Sequence, residues 1–329
     1  MRKPSYEGAR TLVAGGLGFI GSNLAIRLVG LGAHVTVVDA LIPDHGGNRF
    51  NIEPVEEQVR VEVADLRDRA AMEELVAAQD VIFNLAGQVS HVDSMSDPVG
   101  DLELNYLAQL SLLEACRERN REARVVFAAS RQQYGKPHYL PVDERHPIDP
   151  VDVNGVNKAA AEAALFVYHR AYGIPVCSIR LTNTYGPRMQ MRHPRQGFAG
   201  WFIRLAVEGS EIELFGSGSD LRDFNYVDDA VDALLLSGKT KKAIGGIYNL
   251  GHPEPTSVAA FAETLLEVTG GGTLREVPFP RERARIDVGS VHADFAKIRS
   301  ELGWEPKTSL REGLARTVEY YRAHRAAYW

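Results

Sequence analysis

The chain is poor in cysteine, carries no excess of basic charge and contains no apolar run long enough to cross a bilayer. Only two cysteines occur in 329 residues, Cys116 and Cys177, lying in separate helix-like and strand-like stretches without a C-x-x-C spacing. A disulfide framework is therefore excluded, and buried, reduced thiols in a cytoplasmic protein are expected. Lys and Arg number 37 against 43 Asp and Glu, a formal charge of −6, so no basic field exists to hold a phosphate polymer and nucleic acid is not an expected partner. The opening residues MRKPSYEGARTLVAGG have no apolar core of the secretory kind, and no run approaches about 20 apolar residues. No membrane association is expected. Internal repeats and low-complexity segments are also missing.

What remains is an ordinary globular composition, 45% apolar and 24% charged, long enough for a packed core without metal or disulfide support. Residues 1–185 alternate short apolar runs with helix-length amphipathic ones. TLVAGG, HVTVVDA, VRVEVAD, DVIFNLAG, RVVFAAS and PVCSIRL read as strands. FIGSNLAIRLVGLG reads as a helix with Ile20, Leu24, Leu28 and Leu31 on one face. Strand–helix–strand repetition with right-handed crossovers predicts an α/β fold built on a doubly wound parallel (Rossmann) sheet. After residue 185 the alternation fails, starting with GPRMQMRHPRQGFAG. Residues 186–329 are expected to form a smaller substrate-binding lobe, with some segments returning to the first domain.

The first strand ends in Gly15-x-x-Gly18-x-x-Gly21, with Phe19 and Ile20 opening the helix that follows. Glycine is required where the backbone turns tightly, approaches a pyrophosphate or lets helix and strand pack closely. The helix N-terminus then offers free N–H groups to phosphate. Eighteen residues after Gly21, Asp39 ends the next strand. A carboxylate there accepts from ribose hydroxyls and repels a 2′-phosphate, which predicts NAD rather than NADP.

These motifs resemble the extended short-chain dehydrogenase/reductases, the family of NAD-dependent nucleotide-sugar epimerases and dehydratases. The resemblance runs through nearly the whole chain. It implies cofactor contacts at Asp65 and Leu66, at Leu85, Ala86, Gly87 and Gln88 of NLAGQ, and at Asn105. In AASRQQYG it places Ser130 at the catalytic serine or threonine, and in PVDVNGVNK it places Lys158 at the catalytic lysine. It implies substrate contacts at Ser90 and His91 of QVSHVDS, at Asn183 of RLTNTYGPR, at Arg222 of LFGSGSDLRDFNYVDD, and at Arg283 or Arg285. A homodimer through the helix at 101–118 and the stretch AAAEAALFVYHRAYG is also implied.

Two departures matter. The family's tyrosine, four residues before the lysine, is Asn154, which can donate and accept hydrogen bonds but cannot ionise. The proton it would carry must then pass through another group: Lys158, a water held by Asn154 and Lys158, Tyr134, or His91. The dehydratases' Asp-Glu pair after the serine is Arg131-Gln132, which disfavours 4,6-dehydration, and Arg131 would suit an anionic sugar. AGQV at 86–89 and QGFAGWF at 196–202 resemble the branch containing CDP-tyvelose 2-epimerases. The resemblance thus implies a nucleotide-sugar epimerase working through a transient keto-sugar, oxidised at C4, with Ser130, Lys158 and Asn154 in its catalytic centre. Two alternatives stay open: a non-catalytic NAD or nucleotide-sugar binding protein, and a nucleotide-uronate decarboxylase or oxidoreductase.

Overall fold

The computed structural model describes residues 5–329, apart from the side chain of Glu282. Strands β1 (Arg10–Ala14), β2 (His34–Asp39), β3 (Val59–Val63), β4 (Val81–Asn84), β5 (Arg124–Ser130), β6 (Val176–Leu181) and β7 (Gly246–Asn249) form one sheet in the order β7-β6-β5-β4-β1-β2-β3. Every neighbouring pair is parallel. The strand order reverses beside β1, where β2 lies on one side and β4 on the other. In such sheets the crevice outside the carboxyl ends at that point takes the ligand.

Both faces of the sheet are buried, which is why its strands read as continuous apolar runs rather than alternating ones. Val13, Val37, Phe83 and Val126 point into one core with Leu24 and Leu28 of α1 (Phe19–Gly30). Leu12, Val38, Ile82, Val125 and Phe127 point into the other, against α2 (Arg69–Val76) and further helices on that side.

Those helices begin with two short ones, α3 (His91–Ser96) and α4 (Pro98–Leu102), and α5 (Ala108–Arg119) follows. Between α4 and α5 the backbone passes through a π-helical turn at Glu103–Leu107, so the expected helix at 101–118 is interrupted. Asn105 sits in that turn with its amide bonded to both the N–H and the carbonyl of Gln88. The interruption thus aims one side chain at the loop after β4. The long helix α6 (Val153–Tyr172) is capped by Asp152, whose Oδ1 accepts from the Gly155 N–H at 2.7 Å, and ends at Gly173 with φ +75°.

Residues beyond 185 build α7 (Phe198–Glu208) and small two-stranded sheets, but also return to the main sheet through α8 (Val227–Lys239) and β7. The lobe's aromatic residues, with Phe224 stacked on Phe261 at 4.4 Å between centroids, continue the core on the α1 face of the sheet. The C-terminal helix Leu310–Tyr328 ties back to the first domain where the Tyr328 hydroxyl meets Asn51 Oδ1 at 2.6 Å. Cys116 and Cys177 are both buried and unpaired, and burial pushes each thiol up to about 12.

Candidate active site

A cavity of about 360 Å³ opens at the carboxyl ends of the strands, between the sheet and the lobe. Gly15, Gly18, Phe19, Ile20 and Gly21 line one end of it. Gly15 has φ +72°, and a Cβ there would stand 2.9 Å from Ala86 Cα; a Cβ at Gly21 would stand 2.2 Å from the Gly15 carbonyl oxygen. These are contacts against backbone, which cannot move aside, so the first βα turn is close-packed in a way only glycine allows. No side chain caps α1, so the N–H groups of its first turn are left for a ligand in the cavity.

Asp39 lies beside this turn, its oxygens accepting from the N–H groups of Leu17 (3.1 Å) and Leu41 (2.9 Å). Burial raises its pKa and the two N–H donors oppose that rise. Each oxygen keeps a lone pair for a ribose hydroxyl. Asp65 and Leu66 line the same end, and hydrogen bonding from Arg67 holds the Asp65 carboxyl below its ordinary range. Leu85, Ala86 and Gly87 complete the wall after β4. The close-packed glycine turn, the uncapped helix and the carboxylate fit a dinucleotide.

The chemical end of the cavity is formed by Ser130, Arg131, Asn154 and Lys158. Ser130 is the last residue of β5, and its Oγ accepts from the Gln132 N–H at 3.2 Å. Asn154 and Lys158, one helical turn apart, share a face of α6. The Lys158 amine is close behind Gly87: a Cβ on that glycine would stand 2.7 Å from Nζ. Burial pushes the lysine down to about 8, opposed by the carboxylate of Asp101.

Asp101 itself is buried, with its Oδ1 accepting from Asn157 at 2.8 Å and its Oδ2 from Asn154 at 3.0 Å. Asn154 donates as well to the Gln88 carbonyl at 2.8 Å. Both amide hydrogens of Asn154 are therefore spent on acceptors, and it presents only its carbonyl oxygen to a ligand. His91 also lines the cavity, with Nδ1 2.5 Å from Asp152 Oδ2 and Nε2 against the side-chain amide of Gln132. Arg131 has no hydrogen-bond acceptor among the described residues; burial first, and Arg222 second, push it down to about 10.

Not every expected residue lines this cavity. Gln88, Ser90 and Asn105 are buried beneath its wall, where Gln88 bonds to both others. Tyr134 is 1% exposed and faces the core, donating to Asn249 and accepting from Arg180, with its phenol pushed up to about 12 by burial; it cannot reach a sugar. Asn183 lines the cavity, whereas Arg222 is turned onto the carbonyls of Leu221 and Gly289. Arg283 is exposed and stands 5.1 Å over Phe215, and Arg285 is exposed too. Sequence reasoning missed Asp101 and Asp152. Asp152 was detectable as an Asp just before the first turn of a helix. Asp101 had no signal, since the packing of α4 on α6 brings it to Asn154.

Known proteins bear on this geometry. Residues 11–251 match the model of the NAD dependent epimerase/dehydratase family. A putative UDP-glucose 4-epimerase of Methanocaldococcus jannaschii is 34% identical over 94% of this chain and 98% of its own length. UDP-glucuronic acid decarboxylase 1 of Xenopus tropicalis is 32% identical over 95% of this chain and 72% of its own. The Thermus thermophilus UDP-glucose 4-epimerase, solved with NAD, superposes with a TM-score of 0.85 at 31% identity, covering 95% of this chain and 99% of that one. With its parallel sheet, its glycine turn and Asp39 in place, this chain belongs to the NAD-dependent epimerase/dehydratase family, the extended short-chain dehydrogenase/reductases, and its cofactor is NAD.

Proposed function

We propose that the protein is a nucleotide-sugar epimerase that oxidises a sugar hydroxyl, at C4, to a transient ketone and reduces it again with the configuration changed there or at a neighbouring carbon. The observation that carries this reading is the convergence of Ser130, Asn154 and Lys158 on the same cavity as the glycine turn. Bound NAD supplies the acceptor and later the donor of the hydride. Gly15 to Gly21, Asp39 and Asp65 would hold its adenosine and pyrophosphate, and Lys158 its nicotinamide ribose. Ser130 donates to the sugar oxygen. The Asn154 carbonyl accepts from a neighbouring hydroxyl and so orients the ring.

A second reading is favoured by one residue. Arg131 brings to the cavity a cationic group with no acceptor among the described residues, suited to the carboxylate of a nucleotide-linked uronate. Exposed Val99, Leu102 and Leu107 around α4 and α5, with Val156 and Val167 on α6, support association as a dimer through these helices.

The test is incubation of the protein with NAD and a panel of UDP-, CDP-, GDP- and dTDP-sugars and uronates in D₂O, products being read by NMR. An inverted sugar is expected, and deuterium beside the keto carbon would place inversion at that neighbour. Loss of CO₂ from a uronate would establish the second reading. Unchanged sugars, with NAD and a nucleotide sugar bound, would make this a binding protein.

A further inference from the structure

We propose that His91, oriented by Asp152, carries the sugar hydroxyl's proton in place of the tyrosine this chain lacks, an inference that rests on the epimerase reading above. Asn154 cannot carry it, because both its amide hydrogens are engaged and it has no proton to exchange. Tyr134 faces the core. Lys158 is one turn further along α6 from Asn154, against Gly87 in the dinucleotide wall. Two histidines line the cavity: His45 is exposed, bonds to the Pro43 carbonyl and lies next to Gly47 and Asp39 at the dinucleotide end, which leaves His91, whose side chain is 37% exposed.

Its orientation is fixed from both sides. Asp152 is buried and its two oxygens have separate duties: Oδ1 caps α6 through Gly155, and Oδ2 faces His91 Nδ1 at 2.5 Å. An ionised carboxylate only accepts, so Nδ1 carries the hydrogen and Nε2 is the accepting nitrogen, the tautomer of a general base, its lone pair held here by the Gln132 amide. Gln132 donates its side-chain amide to Nε2 and its backbone N–H to Ser130 Oγ at 3.2 Å. The imidazole is thus one residue's span from the hydroxyl that receives the sugar oxygen. After the ring gains a proton, rotation of the Gln132 amide presents its carbonyl oxygen instead, so this neutral partner suits both states of the histidine. A carboxylate at 132 would not.

In the oxidative direction the sugar hydroxyl displaces the Gln132 amide from Nε2, the sugar O–H bond breaks and its proton forms a bond to Nε2. The hydrogen on the same carbon leaves with both electrons, as hydride, to the nicotinamide of NAD, and the carbon becomes a carbonyl. On return the imidazolium gives its proton to that oxygen, the hydride comes back, and neither histidine nor cofactor is changed overall.

The test compares the wild type with H91Q and D152N, all loaded with NAD. Asn at 152 still caps α6, but its amide donates to Nδ1 and forces the hydrogen onto Nε2. On the sugar that the panel identifies, kcat is expected to fall about 10²- to 10⁴-fold in both variants, with KM and the affinities for NAD and for that sugar's nucleoside diphosphate within about threefold. In ¹⁵N-histidine NMR the His91 signal, assigned by its loss in H91Q, should show hydrogen on Nδ1 in the wild type and on Nε2 in D152N. If H91Q fails to fold, D152N and the wild-type spectrum decide. An active wild type with H91Q at wild-type kcat would overturn the dyad, assign the proton to Lys158 and leave the epimerase reading standing; so would hydrogen found on Nε2 in the wild type. A wild type that converts no sugar overturns the epimerase reading and the dyad together.

Discussion

In protein stripped of nucleotide, the Lys158 ammonium is a buried cation with one buried carboxylate, Asp101, to offset it. Burial lowers its pKa from 10.5 in the open chain to about 8. Because the folded value is the lower, the unfolded chain binds more protons between about pH 8 and 10.5, and the lysine's contribution to stability rises with pH across that window. At about 1.36 kcal/mol per unit, the rise amounts to roughly 3 kcal/mol. Lys158→Met keeps the aliphatic stem and removes the titration. The two cysteines and the buried tyrosines titrate above their ordinary values, so they lose stability with rising pH, but they do so equally in both proteins and cancel in the difference.

Urea unfolding of wild type and K158M should be measured from pH 7 to 10.5. K158M is expected to be at its best relative to wild type at pH 7, with that advantage falling by roughly 3 kcal/mol toward pH 10.5. A difference that stays flat across the window would mean that Lys158 is solvated as an ordinary lysine. The placing of a desolvated amine behind Gly87 would then be wrong.

G21A places a Cβ 2.2 Å from the Gly15 carbonyl oxygen and should weaken NAD binding at least about tenfold while costing about 1–3 kcal/mol in denaturant unfolding; unchanged NAD titration would refute the close-packed turn. D39N keeps the size of the side chain but loses its charge, and should narrow the preference for NAD over NADP, read as the ratio of the two dissociation constants. N154Y restores the family's residue but strips Asp101 and the Gln88 carbonyl of a donor, so a loss of about 2–4 kcal/mol is expected. The new phenol would stand beside the Asp101 carboxylate, which raises its pKa, and kcat should not exceed that of the wild type. L107K with V167K should shift the protein toward monomer in light scattering if α5 and α6 form the dimer face.

The dinucleotide end could be read from sequence because its requirements are local: a strand, three glycines at fixed spacing, a helix, and an acid at the end of the next strand are all set by near neighbours. The seventh strand could not, since Gly246–Asn249 is four residues long and joins β6 from the far half of the chain. At the chemical end, a motif position identifies a residue but not where its side chain turns. Arg222 occupies the expected place yet bonds to backbone carbonyls, and Tyr134 has the right chemistry but is bound into the core by Arg180 and Asn249.

Asn154 poses the same difficulty in its sharpest form. Read alone along the chain, it is the loss of an acid-base group. In the fold it is one member of a set. Asp101, from α4, takes one of its hydrogens and one from Asn157, and stands near Lys158. Two residues before it, Asp152 both starts the helix that carries Asn154 and holds a histidine 61 residues upstream. A tyrosine lost by drift would leave its surroundings arranged for a phenol. Here a carboxylate that would oppose ionisation of a phenol lies at its position, while a second carboxylate, Asp152, faces Nδ1 of His91 and orients the ring. One carboxylate occupies the amide that replaces the phenol and the other orients an imidazole on the same cavity, and together they argue that proton transfer has moved within the site rather than disappeared from it.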